Sequence, residues 1–438
     1  MSKSSLILSQ TPALKVPLRF FLTAPLFGVA VAVAMLWQGA SIFTTRWSSG
    51  LLAINHLLVL GYIGMVMQGA LLQIVSVVLG ERPPHVDRLS MLMHLFLTAG
   101  TLLLAAGFLM GSATAMQFAI LLLALSFLLF FGSIVSVLPA GAARHDVKVG
   151  VALALGCLVV TLISGVWLAM GYGWNEIAPA RQLTDLHLAW GLLGWIGVLV
   201  VTVAYEVVPM FQVTPAYPKR ISRWLGLTIF VSLIAWSSWM LSAPTIFSGV
   251  GGLLLAVGFS LFASTTLWLQ FKRKKKQADS TIWFWRCAML SLLAAIFCWM
   301  TAQFFPVLMK NSAYPMLLAV LMIVGFAVSV INGMLYKILP FLTWVHLTMM
   351  ATEHKASRRL IPNIKKIISE PPTRIQFALH LLALLLMALC AWRASLFLLP
   401  AAVVFAASNL LLWWNLIGAL RVYNRVTMEI EAASLPGR

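Results

Sequence analysis

Charge is what this sequence has least of. Only 9% of its 438 residues are Asp, Glu, Lys or Arg, and the acidic residues number 11. A water-soluble domain carries about a quarter charged residues, so there is too little polar surface here to cover a soluble globule. No long polar stretch divides the chain, and a single membrane domain is expected over residues 1–438. Cysteine is scarce as well. Cys157, Cys287, Cys298 and Cys390 all lie in apolar runs without a CxxC pair, which excludes a disulfide framework or zinc cluster and leaves them as small core hydrophobes. Also lacking are a phosphate-cradling glycine loop, a nucleophile elbow and a zincin helix. Soluble-enzyme chemistry has no foothold.

What is present in abundance is apolar length. Hydrophobic residues make up 61% of the chain, mean hydropathy is +0.97, and a bilayer core requires about 20 consecutive apolar residues. Twelve spans are predicted near 20–39, 51–79, 91–110, 115–138, 147–170, 186–210, 221–241, 245–270, 283–305, 314–345, 373–392 and 396–420. The first follows a polar lead that ends at Arg19 and is long enough to cross, so it reads as a span rather than a cleaved signal. The net charge of +19 matters through its distribution. The N-terminus, the even-numbered loops and the C-terminal tail hold 25 Lys and Arg, while the odd-numbered loops hold only Arg46, Arg181, Lys310 and Arg393. Basic residues stay cytoplasmic during insertion, which places both termini there, in a bacterial-type inner membrane. Topology thus accounts for the charge, and no nucleic-acid partner is implied. The run Lys272-Arg273-Lys274-Lys275-Lys276 and the segment from His354 to Arg374 become cytoplasmic loops suited to anionic lipid headgroups.

Three spans repeat one pattern. The second carries Gly61, with Gly69, Gln73 and Ser76 at 8, 12 and 15 residues beyond it. The sixth has Gly194 followed by Thr202, Glu206 and Pro209 at those offsets, and the tenth has Gly325 followed by Gly333, Lys337 and Pro340. Small residues permit close helix approach in a membrane. The echo, recurring every four spans, implies a four-helix unit used three times, approximately 20–138, 147–270 and 283–420. Position 12 puts Gln73, Glu206 and Lys337 at one depth. Charges inside a bilayer face a partner or water, so Glu206 and Lys337 are expected to neutralise each other near Gln73. A register-fixing ion pair, a proton or ion path, and unrelated snorkelling residues all remain open readings of this polar set.

His56 and His187 precede their reference glycines by 5 and 7 residues, a difference of only about 3 Å along a helix axis. Imidazole at such depth suits haem iron or copper, and it equally suits a hydrogen bond to a neighbouring helix. His94, His346 and His380 fall near the cytoplasmic ends of their spans, where the membrane surface explains them more simply. The 21 Met residues read mainly as packing, although thioethers also suit Cu(I).

Together, the twelve spans, His56 and the repeated Gly/Pro frame resemble subunit I of the haem–copper oxidases and the related NnrS family. The segment from His56 through Gly61 and Gly69 to Ser76 resembles the second helix of NnrS proteins, and Pro17-Leu18-Arg19-Phe20-Phe21 resembles their N-terminal lead. Asn332-Gly333-Met334-Leu335-Tyr336-Lys337-Ile338-Leu339-Pro340 resembles an oxidase G-x-x-Y-x-x-P stretch. The resemblance implies an all-α bundle of about twelve transmembrane helices in three arcs, with haem b or copper held in some of them and His56 as a haem ligand. The chain departs from both families. It reads Ile54-Asn55-His56-Leu57 where NnrS proteins carry paired histidines followed by Glu, span seven has no histidine, and span ten reads Leu318-Ala319-Val320 at the oxidase ligand depth. An oxygen-reducing site of the oxidase kind is therefore not expected.

Three functions are compatible with this reading. One is a haem- or copper-binding protein with a redox, nitric-oxide-response or respiratory accessory role, His56 and His187 being the ligands. Another is a proton, ion or copper transporter using Gln73, Glu206 and Lys337. The third is a cofactor-free assembly partner of respiratory-complex subunits.

Overall fold

Apolar runs bounded by polar or glycine-rich breaks form helices because a bilayer leaves backbone N–H and C=O groups no partner but each other. The computed structural model describes residues 11–76, 80–139, 145–174, 181–240, 246–274 and 277–433, and no strand occurs among them. Helix α1 is Lys15–Gln38, α2 Ser49–Ile74, α3 Val86–Met110, α4 Ala113–Val135, α5 His145–Trp174 and α6 Gln182–Gln212. Helix α7 is Lys219–Ser237, α8 Ile246–Phe271, α9 Ser280–Phe304 and α10 Ala313–Glu353. A continuous helical stretch Glu370–Ala433 breaks at Arg393 (φ −139°, ψ 60°), giving α11 (370–392) and α12 (394–433). The twelve helices lie where the twelve spans are expected. Among the described residues ten helical stretches, Glu370–Ala433 as one and α7 not among them, are long and apolar enough to cross a membrane, and the protein is a multi-pass membrane protein. Lys275 and Lys276 of the basic run, and the end of span two at 77–79, lie outside the described residues.

The bundle has a pseudo-threefold arrangement, and α2, α6 and α10 are its inner helices. Each carries a π-helical segment at the same register: Leu57–Gly64, Trp190–Val198 and Val320–Val328, every one spanning its reference glycine. The glycines explain how each inner helix meets the helix before it. A Cβ on Gly61 would strike the Phe27 ring of α1, one on Gly194 would lie 2.8 Å from Cys157 Cβ of α5, and one on Gly325 would lie 2.6 Å from Ser291 Cβ of α9. Two turns on, Gly69 abuts Phe20, Thr202 abuts Gly150, and Gly333 abuts Phe284. The ring closes where Asn409 of α12 packs on Gly28 of α1.

Where the three inner helices converge they line, with Trp285 of α9, a partly open apolar cavity of about 80 Å³. Its walls fall at matching offsets from the reference glycines: Ala70, Val203 and Met334 at position 9, and Ile74, Val207 and Ile338 at position 13. The axis of the bundle is therefore hydrocarbon. Two polar ties cross the inner layer: Tyr62 Oη donates to Asn332 Oδ1 at 2.5 Å between α2 and α10, and Asn415 Nδ2 donates to Tyr336 Oη at 3.0 Å between α12 and α10.

Candidate functional site

Position 12 of the inner helices does not reach the axis. None of Gln73, Glu206 and Lys337 lines the central cavity. Successive helical residues differ by about 100° in direction, so a position adjacent to axis-facing position 13 is turned well away from it. Gln73 is buried, and neither of its amide atoms has a hydrogen-bond partner. Glu206 is half-buried in α6. The pairing of Lys337 with Glu206 expected from the sequence is corrected: Lys337 Nζ donates to Asp279 Oδ2 at 2.8 Å. Asp279 is also the N-cap of α9, accepting from Ile282 N–H at 3.4 Å. One carboxylate thus joins the start of α9 to α10, which is a structural use of the lysine. Side-chain exposure is 26% for Lys337 and 15% for Asp279, so Lys337→Met should cost about 1–3 kcal/mol by removing one charged partner of a mostly shielded carboxylate. Adding Asp279→Asn should recover most of that loss, because the cap survives and the charge does not; thermal unfolding in detergent measures both.

The histidines sort differently. His94 and His380 are not surface groups, contrary to the simplest sequence explanation. His380 is fully buried in α11, and His94 packs inside the first unit with its ring 5.3 Å from that of Phe20. Thr23 Oγ1 donates to Arg19 O at 2.9 Å, and accepts from His94 Nε2 at 2.8 Å. Ser329 Oγ likewise donates to Val324 O at 3.3 Å and accepts from His380 Nε2 at 2.7 Å. The two rings are counterparts, since His380 sits 5.4 Å from Phe284, and Phe20 and Phe284 are the side chains against Gly69 and Gly333. His346 is bonded at both nitrogens to main-chain carbonyls, Leu342 O at 2.9 Å and Pro12 O at 3.0 Å. These three imidazoles hold helices together.

His56 and His187 are brought together. Their ring centroids are 6.3 Å apart and their planes 24° from parallel. His56 ends the α-helical start of α2, directly before its π segment, and π bulges often mark functional positions. Its Nδ1 bonds Leu52 O at 2.8 Å, while His187 Nδ1 bonds Thr161 O of α5 at 2.9 Å. A carbonyl only accepts, so each Nδ1 carries the proton and each Nε2 keeps a lone pair. Such second-shell bonds fix the tautomer and orientation of metal-binding imidazoles. Phe108 of α3 stacks on His56 at 5.4 Å, and Tyr172 of α5 meets Phe108 edge-on at 5.2 Å. Gly165 of α5 makes room for the second ring: a Cβ there would lie 2.7 Å from His187 Cε1.

Sequence reasoning missed the clamp that sets this pair. Arg46 Nη1 contacts Asp185 Oδ1 at 2.6 Å, ten residues before His56 and two before His187, and the Arg46 guanidinium lies 4.3 Å over Trp47. An acid two residues before an intramembrane histidine, and an arginine on the side poor in basic residues, were the available signals. The supporting groups Thr161 and Gly165 had none, because an intramembrane Thr and Gly are ordinary packing residues in helices of this kind.

No family model matches the chain, and no curated protein matches its sequence. Among solved structures, a chain of a haem–copper terminal oxidase dimer determined by electron cryo-microscopy matches with a TM-score of 0.59 at 12% identity, covering 98% of this chain and 85% of that one. The protein shares the helical-bundle fold of that haem–copper oxidase.

Proposed function

We propose that this protein is a membrane metal-binding protein of the oxidase-like class, holding haem b or copper between His56 and His187 and serving a redox or respiratory accessory role, as in the resemblance to NnrS proteins. The observation that carries this reading is the neighbouring pair of half-buried imidazoles, each anchored through Nδ1 to a main-chain carbonyl. The donor set fits the group. Two neighbouring imidazoles, 6.3 Å apart between ring centroids and each with an Nε2 lone pair left by its Nδ1 bond, are donors that would suit one metal ion. Haem iron takes such axial imidazoles, and Cu(I) accepts neutral nitrogen donors. When bound, the metal would supply one-electron chemistry.

The chain's own groups do the rest. Leu52 O and Thr161 O hold the two N–H groups, so both lone pairs stay available. Phe108 and Tyr172 keep the surroundings apolar, and the Arg46–Asp185 pair ties the outer ends of α2 and α6. A three-imidazole copper centre has no donors at the oxidase positions, because α7 contains no histidine and the histidine of α10, His346, is bonded elsewhere. Oxygen reduction of the oxidase kind is accordingly not part of this reading. The transporter alternative is weaker: the inner cavity is apolar, and Lys337 is engaged with Asp279.

An absorption spectrum with metal analysis of detergent-purified protein tests the proposal. A Soret band with stoichiometric iron indicates haem, whereas stoichiometric copper without the band indicates a copper site. Colourless, metal-free protein from cells supplied with both sinks it. Gly165→Val should lower occupancy with both histidines intact, since the new side chain occupies the place of the His187 ring; recovered metal per protein measures this.

A further inference from the structure

A second site lies at the opposite end of the molecule, on the basic side between α8 and α9. Arg273 follows α8, and its Nη2 donates to Gln277 O at 2.7 Å, which fixes the guanidinium. Its Nε and Nη1 are buried without a hydrogen-bond partner, and so is Nε of Arg286 in α9. Burial lowers the Arg273 pKa, Asp279 raises it, and the neighbouring Arg286 charge, the smallest of the three causes, lowers it. Arg286 of α9 reaches the end of α8, where its guanidinium packs over the ring of Phe271, two residues before Arg273. Asp279 offsets part of the Arg273 charge, but its Oδ2 accepts from Lys337 Nζ, and the three guanidinium nitrogens remain without a hydrogen-bond partner. Cationic donors buried without partners are costly, and two side by side call for an anion.

The surroundings say what kind. The Arg286 guanidinium lies 5.0 Å from the Phe271 ring centroid and 5.5 Å from that of Trp283, and Lys272 Nζ lies 4.0 Å from that of Trp268. All three aromatic residues are exposed on the outer surface, where a spanning helix meets lipid. Rings at this level are the interfacial belt of a membrane protein. A phosphate held by Arg273 and Arg286 would thus sit directly above hydrocarbon-facing aromatic surface.

We propose that Arg273 and Arg286, with Lys272 beside them, form a specific site for the phosphate of an anionic phospholipid, its acyl chains lying along Phe271 and Trp283. This differs from diffuse attraction of the basic loops to headgroups, because it assigns recognition to particular N–H groups. It is also independent of the histidine pair.

The test uses the full-length protein in detergent, titrated with dioleoylphosphatidylglycerol, with dioleoylphosphatidylcholine or with inorganic phosphate, and followed by native mass spectrometry and thermal unfolding. Retention of phosphatidylglycerol but not phosphatidylcholine is expected. Arg273→Gln and Arg286→Gln should each weaken binding about ten-fold or more, while Lys274→Gln, which removes a nearby exposed charge, should leave it unchanged. Making both single variants keeps the site testable should one fail to fold, with monodisperse elution and helical circular dichroism as the check. Equal binding by the Arg variants, or equal weakening by Lys274→Gln, overturns the site in favour of diffuse attraction. Equal protection by inorganic phosphate at matched concentration overturns the lipid assignment.

Discussion

Protein carrying His56→Ala is expected to purify as a folded helical bundle that has lost its haem or copper, and His187→Ala is expected to behave in the same way. Each substitution deletes one of two donors, and no third His, Cys, Asp or Glu stands close enough to form a three-member metal cluster among the described residues. Loss of a second-shell partner alone typically costs 10- to 100-fold in metal affinity, so loss of a ligand should exceed about 100-fold. The fold should survive because both rings are only half-buried and the helices around them are held by other contacts, including Arg46 with Asp185 at 2.6 Å. The readouts are Soret amplitude and metal per protein, with circular dichroism and elution volume as fold controls. If both variants keep the wild-type spectrum and metal content, the histidine pair is a packing feature and the proposed function fails.

Gly61→Leu, Gly194→Leu and Gly325→Leu are expected to be the most destabilising single substitutions among the glycines of the inner helices. Each would place a side chain where Phe27, Cys157 or Ser291 of the preceding helix already sits. Overpacking a tight interface costs about 1–3 kcal/mol and sometimes more, and here helix pairs must separate as rigid bodies. Gly132→Leu and Gly226→Leu are the controls, since a Cβ at either meets nothing within 4 Å. Thermal unfolding in detergent should show large losses for the first set and little change for the second. Equal effects across both sets would mean that the matched glycines are not what seats α2 on α1, α6 on α5 and α10 on α9.

Much of the frame was legible in the chain. The twelve spans coincide with α1 to α12 to within a few residues at most ends, because length and apolarity are sufficient conditions for a helix in lipid. The threefold echo was visible because packing against a neighbouring helix demands small residues at fixed intervals. His56 and His187 could be paired from depth alone. Burial of His380 was missed, because a histidine near the end of a span looks alike whether it faces headgroups or Ser329. The Lys337 partner was missed for a related reason: Asp279 stands 58 residues away in a loop, and matching depth pointed instead to Glu206.

By itself the sequence determined that this protein crosses a membrane repeatedly, where its helices run, and that three of them are built to one pattern. These are properties of local composition and spacing, which every turn of helix carries with it. Only the tertiary structure decided which face of each inner helix looks at the axis, and so that Ile74, Val207 and Ile338 meet there while Gln73, Glu206 and Lys337 turn aside. Rotation about a helix axis is set by the helices on either side, and a single residue shifts direction by about 100°. The same rotation brought the ring of His56 to within 6.3 Å of that of His187.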